Sequence, residues 1–541
     1  MRPRWILALS LANLCYFRAW RELLSPQGLS YWYYWKEYPG YPLLGALVLN
    51  VLVLAGIFRL GFYLSKRWEF GRKLQIAPII FLLIFFRALN NIRTEFDSLS
   101  TTHLRALFGK AGYAAGVVLF LLLIALAIKR FGLIRVARAA ALIVFIWSPF
   151  GLLGLVQATW LAAKYGRSIS NEKTSAQPIS QKTKTKPRVV WIIFDEMGQR
   201  LPFDERPSDL SLPEFDRLRA QSVFATQAFP PAGHTSQSIP ALLTGQLIAA
   251  VRPAGPGELM FTLPNQTASI KLSETPTVFA DANKLGFNSE LVGWYHPYCR
   301  VIGNQLTRCY WHPATQRLQM PLLSFRKDLI RQNVGVLKLL PFTTSLQEKF
   351  LETQKRDYRS EHLEDYKELM RRAVIAVTNR DSDLLFIHLP VPHPPYVFDR
   401  RRSATSISHD NGILDNLALA DKALGELRQQ MELSGVWQTS TVIVSSDHWW
   451  RSDYWQAQRL FWNSSDVALK AATLDHRVPF LMKLAGQNST VQYDTAWNTV
   501  LTHDLILAVL KGEISGAPQV TAWIDGHRTI GESPYQSYED E

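Results

Sequence analysis

Val189-Val190-Trp191-Ile192-Ile193-Phe194-Asp195-Glu196-Met197-Gly198 is the stretch on which the reading of this chain turns. Six apolar residues run without a break into two acids. An apolar run of this length, closed by turn residues, fits a strand buried on both faces of a sheet. In open α/β sheets, ligands bind beyond the carboxyl ends of such strands. Two further segments set polar groups beside apolar runs in the same way. They are Thr235-Ser236-Gln237-Ser238-Ile239-Pro240-Ala241-Leu242-Leu243-Thr244-Gly245 and Val444-Ser445-Ser446-Asp447-His448. An acid pair, a hydroxyl and an Asp-His pair are thus candidates to meet at one site, as ligands of a metal and a nucleophile held against it.

Around these segments the chain alternates. Strands are expected at residues 189–194, 384–388, 441–445 and 478–484. Helices are expected at 212–221, 238–243, 276–285, 361–377, 413–433 and 501–510. This alternation predicts an α/β domain with a mostly parallel central sheet and helices on both faces. No internal repeat is visible.

At 541 residues the chain exceeds one domain. Its mean hydropathy of −0.02 is high for a wholly soluble protein, and the apolar residues crowd into the N-terminal third. The net charge of +14 raises nucleic acid as a partner. Much of that excess sits in short loops between apolar runs, where it orients membrane helices instead, so no nucleic-acid partner is expected. The basic balance also suits anionic lipid headgroups.

Five apolar stretches can be read, at residues 5–24, 41–64, 74–91, 111–131 and 136–160. About 20 apolar residues span a bilayer. Arg18, Arg21 and Glu22 weaken the first run, and Pro78 and Arg87 weaken the third. No cleavage site follows the first run, so it does not read as a signal peptide. Positive charge collects at Arg2 and Arg4, at Lys66, Arg67, Arg72 and Lys73, and at Lys129, Arg130, Arg135 and Arg138. The positive-inside rule puts these loops and the N-terminus in the cytoplasm, and five crossings put the C-terminal part outside. The expected organisation is a transmembrane anchor over 1–163, a flexible polar linker over 164–187 and an extracytoplasmic domain over 188–541. Tyr31-Trp32-Tyr33-Tyr34-Trp35 reads as an interfacial aromatic belt; the alternative is a platform for a lipid-linked substrate.

Of three cysteines, Cys15 lies in an apolar run. Cys299 and Cys309 bound a loop containing Gly303-Asn304. They form a disulfide if the domain lies outside the cytosol and are otherwise two buried thiols. Lacking a Cys-x-x-Cys pattern, they are poor metal ligands.

Together, Asp195-Glu196, Thr235 nine residues before Thr244-Gly245, and Asp447-His448 make residues 188–510 resemble the alkaline phosphatase superfamily in its sulfatase-like branch. The apolar anchor adds a resemblance to membrane-bound phosphoethanolamine and glycerol-phosphate transferases. The resemblance implies a divalent metal, Zn, Mn or Mg, in one or two copies. Its ligands would be Asp195, Glu196, Thr235, Asp447 and His448. Thr235 occupies the nucleophile position, and its residue-level alternative is a helix N-cap. Gln237 and Ile239 stand where formylglycine sulfatases carry Pro and Arg, so that maturation signal is missing. Relatives use histidines in a segment like His388-Leu389-Pro390-Val391-Pro392-His393 for a second metal or the substrate phosphate. That makes His388 and His393 candidates, with His393 also as general acid or base. His476, just before Arg477-Val478-Pro479, is a third. Trp449-Trp450 replace the glycine usual after the Asp-His pair.

The expected activity is transfer of a phospho-alcohol headgroup from a membrane phospholipid, through Thr235, to an envelope glycan or lipid. A phosphate or sulfate ester hydrolase of the same fold and a catalytically inactive envelope scaffold are the alternatives. The expected location is a bacterial-type cytoplasmic membrane, with the oligomeric state open.

Overall fold

The computed structural model describes residues 3–24, 33–34, 40–69, 73, 75–94, 96, 99, 101–165, 187–313, 325–337, 344–408, 410–458, 461–470 and 475–528. Residues 166–186 of the expected linker lie outside them, as do Tyr31, Trp32 and Trp35. The chain forms two compact units that are not contiguous in sequence. One comprises Met1–Leu29, Glu37–Ile169 and Pro321–Glu352; the other comprises Ser30–Lys36, Ser170–Met320 and Thr353–Glu541. Of the described residues, Tyr33 and Tyr34 fall in the second unit, and 325–337 and 344–352 fall in the first.

The first unit is helical: α1 Pro3–Cys15, α2 Phe17–Leu24, α3 Gly40–Arg67, α4 Ile76–Thr94, α5 Thr101–Phe131, α6 Leu133–Ile146 and α7 Ser148–Tyr165. Four segments are long and apolar enough to cross a membrane, by length and composition: Tyr41–Ser65, Ile76–Arg93, His103–Phe131 and Leu133–Leu161. Five were expected. The first run instead divides into α1 and α2 at Tyr16, and the charges at Arg18, Arg21 and Glu22 leave its apolar part short. Small and apolar side chains of α1 (Ala8, Leu11, Ala12) are nevertheless buried, packed against α3, α6 and α7. The outward surface is apolar. Leu119, Leu122 and Leu126 on α5 and Leu152, Leu153 and Val156 on α7 are more than half exposed. Each such side chain forgoes roughly 1.5–3 kcal/mol if left in water, so exposed apolar side chains on these helices suit a lipid surrounding.

The second unit is built on an eight-stranded sheet: β1 Arg188–Asp195, β2 Val223–Ala225, β3 Ser289–Tyr295, β4 Arg308–Pro313, β5 Leu384–Pro392, β6 Ser440–Ser446, β7 Phe480–Lys483 and β8 Val491–Tyr493. Their order is β8-β2-β7-β6-β1-β5-β3-β4. Only β7 runs against the rest. β1 is central and all eight of its residues are buried, which explains its unbroken apolar run. Helices α8 Pro213–Arg219, α9 Thr235–Thr244, α10 Ile413–Leu433 and α11 Thr502–Leu510 flank the sheet. Phe215, Leu417 and Leu424 fill the core beneath β1, with Ile192, Phe194 and Val444 above them. Ile193 of β1 lies level with His388 of β5 and Ser445 of β6. Three adjacent parallel strands therefore end together, and the polar residues that follow them share one edge.

Candidate active site

β1 ends on Asp195, and the chain turns at once. Glu196 takes φ +63°, a left-handed conformation that disfavours a residue with a Cβ. Such strain costs of order 1–3 kcal/mol and persists where surrounding bonds demand it. Here the Glu196 N–H donates to Asp447 Oδ1 at 3.1 Å, and the Met197 N–H donates to Ser446 Oγ at 2.8 Å. The Ser446 hydroxyl in turn donates to the Phe194 carbonyl at 2.6 Å.

Thr235 opens α9, and the spacing to Thr244-Gly245 is the length of that helix. Gly245, at φ +66°, is its left-handed C-cap, with its N–H on the Ala241 carbonyl. The cap residue at the other end is His234, whose carbonyl takes the Gln237 and Ser238 N–H groups. Thr235 is therefore not the N-cap. Its Oγ1 lies 3.2 Å from Asp195 Oδ2 and 3.1 Å from His448 Nε2. His448 Nδ1 faces the Trp449 carbonyl at 2.9 Å. A carbonyl only accepts, so Nδ1 carries the proton and Nε2 presents a lone pair to Thr235.

The other histidines divide. His388 Nε2 stands 3.2 Å from Asp195 Oδ2, and its Nδ1 meets the Tyr298 hydroxyl at 2.9 Å. His393 bonds the Pro394 carbonyl through Nδ1, leaving Nε2 bare at 3.6 Å from Glu196 Oε2. His476 packs its ring on Trp449, centroids 4.4 Å apart, and belongs to neither metal-capable cluster among the described residues. Those clusters are Asp195–Glu196–His393 and Asp195–His388–Asp447, each with its ligand atoms within 4.8 Å of one another. They share Asp195, so His388 and His393 join the acids directly instead of forming a separate set.

Do these residues suit a cation? Asp195 Oδ1, Glu196 Oε2 and Asp447 Oδ2 are all buried without a hydrogen-bond partner. Burial raises all three carboxyls above their ordinary range, and Asp447 and Glu196 push Asp195 further up. Burial likewise holds His393 and His448 well below the usual imidazole range and His388 at about 4, so all three rings are neutral at pH 7. Buried carboxylate oxygens without partners, one of them facing the His393 Nε2 lone pair, are an arrangement that a cation would satisfy. The donor set fits one or two divalent ions, and the mix of carboxylate and imidazole suits Zn or Mn.

Several groups at the site carry no motif. The Arg451 N–H and the Trp455 indole N–H both donate to Glu196 Oε1, at 2.8 and 2.7 Å. Arg451 Nη1 donates to His234 Nδ1 at 2.6 Å, placing a guanidinium beside the turn that carries Thr235. His296, Tyr298 and Tyr33 lie behind Thr235 and His388. The Trp294-Tyr295-His296-Pro297-Tyr298 run, which begins in the last residues of β3, is the signal available in the sequence. Trp449 and Trp450 are buried; Trp449 packs so closely on Gly233 that a Cβ there would lie 2.8 Å from the indole. Tyr33 and Tyr34 are buried too, so these two residues form no interfacial belt. Cys299 and Cys309 are joined by a disulfide, Cα to Cα 5.6 Å; Cys15 is a buried free thiol.

The Sulfatase family profile matches residues 187–511. The chain therefore belongs to the sulfatase family. No curated protein matches it significantly in sequence. Among solved structures, it is distantly similar to the phosphonate monoester hydrolase of Agrobacterium radiobacter, with 14% identity over 64% of this chain and 78% of that one and a TM-score of 0.38. The PsFucS1 sulfatase from Pseudoalteromonas sp. shares 13% identity over 61% of this chain and 68% of its own, TM-score 0.40. Murine ectonucleotide pyrophosphatase/phosphodiesterase 5 shares 12% over 60% of this chain and 95% of its own, TM-score 0.35.

Proposed function

We propose that this protein transfers a phospho-alcohol headgroup from a membrane phospholipid, through a covalent ester on Thr235, to a glycan or lipid of a bacterial-type cell envelope. The observation that carries this reading is the Thr235 hydroxyl, held 3.2 Å from Asp195 Oδ2 and 3.1 Å from His448 Nε2 at the first residue of a helix. Thr235 Oγ attacks phosphorus and forms a new O–P bond. The bond from phosphorus to the diacylglycerol oxygen breaks, and that oxygen leaves with a proton. An acceptor hydroxyl then attacks the same phosphorus and regenerates Thr235. Asp195 Oδ2 and His448 Nε2 are the acceptors within reach of the Thr235 proton. The helix N-terminus and Arg451 offer donors and positive charge to the phosphoryl oxygens. His393, with Nε2 bare, is placed to exchange a proton with the leaving or entering oxygen. A divalent ion held by Asp195, Glu196, His388, His393 and Asp447 would supply Lewis-acid stabilisation of that charge.

The lipid donor is supported by the exposed apolar belt of the helical unit. An extracytoplasmic site is supported by the loop charges and by the Cys299–Cys309 disulfide. It requires α1 and α2 to cross together as a fifth span, and the burial of α1 among α3, α6 and α7 fits that.

The second reading is a hydrolase, with water as acceptor, favoured by the sulfatase family membership. Phosphatidylethanolamine labelled in its headgroup separates the readings. A labelled glycan or lipid means transferase, and released headgroup phosphate means hydrolase. No labelled Thr235 and no bound metal means an inactive scaffold.

A further inference from the structure

Tyr33 is the residue least expected in this site. By sequence it lies between α2 and α3 of the helical anchor, yet it belongs to the second unit and is fully buried there. Its hydroxyl is 2.9 Å from His296 Nδ1. His296 Nε2 is 3.0 Å from the backbone carbonyl of Thr235. A carbonyl has no proton to give, so Nε2 carries the ring proton. Nδ1 of the neutral ring is then an acceptor, and Tyr33 is its donor. The chain of bonds runs one way, Tyr33 O–H to His296 to Thr235 carbonyl, and fixes the ring tautomer.

Tyr33 is itself held from several sides. Arg300 donates to its carbonyl at 2.7 Å. Tyr34 packs edge-on against it, centroids 4.9 Å apart, and also contacts Tyr295. We infer that Tyr33 is a positioning residue for Thr235, acting through His296, so that the nucleophile's backbone is set by a residue from the anchor's first inter-helical segment. The inference rests on Thr235 as nucleophile. Without the Tyr33 hydroxyl, the ring can take its proton on Nδ1 and turn a lone pair on the Thr235 carbonyl. The first turn of α9 then loses a bond that sets the angle of attack, and displacements of this kind cost about 10- to 100-fold in rate.

The test uses the full-length chain in detergent with bis(4-nitrophenyl) phosphate as probe. Tyr33→Phe is expected to lower kcat about 10- to 100-fold, with KM and melting midpoint little changed. In His296→Gln the amide donates to the Thr235 carbonyl without a partner of its own, so adding Tyr33→Phe should have no further effect. Losses that simply add in the double variant overturn the inference. A second readout is independent of turnover: ¹⁵N-histidine NMR, with the His296 signal assigned by its loss in His296→Gln. It should show an Nε2-protonated ring that shifts toward Nδ1 in Tyr33→Phe; an unchanged tautomer overturns the inference. Thr235→Ala separates the two claims. If it hydrolyses the probe at the full rate, the nucleophile reading falls; if it is inert while the double variant is additive, only the role of Tyr33 falls.

Discussion

The amide of Glu196 donates to Asp447 Oδ1 at 3.1 Å, and the other oxygen of that carboxylate, Oδ2, has no hydrogen-bond partner. One oxygen thus holds the ends of β1 and β6 together while the other is left for a cation. The two roles can be separated. Asp447→Asn keeps an acceptor for the Glu196 amide and loses the charge. It should melt near chelator-treated wild type and bind Zn or Mn much more weakly, as read by metal content after gel filtration. Asp447→Ala should in addition lose about 1–3 kcal/mol, because a buried N–H is left unpaired. Equal metal content in all three proteins would refute the assignment.

Chelation should lower the melting temperature, and added Zn or Mn should restore it. An ion at 100 times its dissociation constant stabilises by about 2.7 kcal/mol. The Asp447→Asn variant should not respond. A wild-type melt that is indifferent to chelator would remove the metal from the site.

Gly293 sits in β3 where a Cβ would lie 2.4 Å from Tyr298 Cε2. Tyr298 is the partner of His388. Gly293→Ala must displace that ring, an overpacking that costs about 1–3 kcal/mol. It should also weaken metal binding through His388, while Gly286→Ala, on a surface turn with open space around it, should leave metal binding alone.

Asp421 on α10 accepts the Glu214 and Phe215 amides at the start of α8, and burial raises its carboxyl from 3.8 to about 7. Its folded value lies above its unfolded one. The associated stability is therefore complete below about pH 4 and is lost as pH rises through about 7. Asp421→Asn keeps the acceptor and should flatten that part of the stability–pH curve. Parallel curves for the two proteins would contradict this.

In the helical unit, Asn50 of α3 donates to Gln332 Oε1 at 2.9 Å and to the Leu329 carbonyl at 3.0 Å, and accepts from Asn333 at 2.7 Å. Asn50→Leu leaves these partners without it in an apolar bundle and should destabilise the unit by about 1–2 kcal/mol. Detergent melts would show it; Leu122→Ala, on the outward face of α5, is the matched control with little effect.

Much of the candidate site was legible because its polar residues follow strands. An apolar run ending in Asp-Glu or Asp-His states both its burial and where its polar end lies. Asp195, Glu196, Thr235, Asp447 and His448 stand out from their own neighbours, whereas His388 and His393 enter only through the resemblance to relatives. β3 and β4 were not anticipated. Their sequences, Ser289–Tyr295 and Arg308–Pro313, mix glycine, acid and aromatic residues without a clean period. With β3 went His296 and Tyr298, which follow it. The first apolar run misled in the opposite direction: its composition suits a span, but the helix divides at Tyr16.

The sequence by itself determined the parallel α/β architecture, the apolar anchor and which residue types stand at the strand ends. These follow from local apolar patterning, which burial imposes within each element. Tertiary structure alone decided which of these residues meet. It put His388 and His393 with Asp195 and left His476 against Trp449. It brought Tyr33 to His296, 263 positions along the chain. Such pairings depend on strand order and on turns such as the one at Glu196, and no residue's neighbours in sequence encode them.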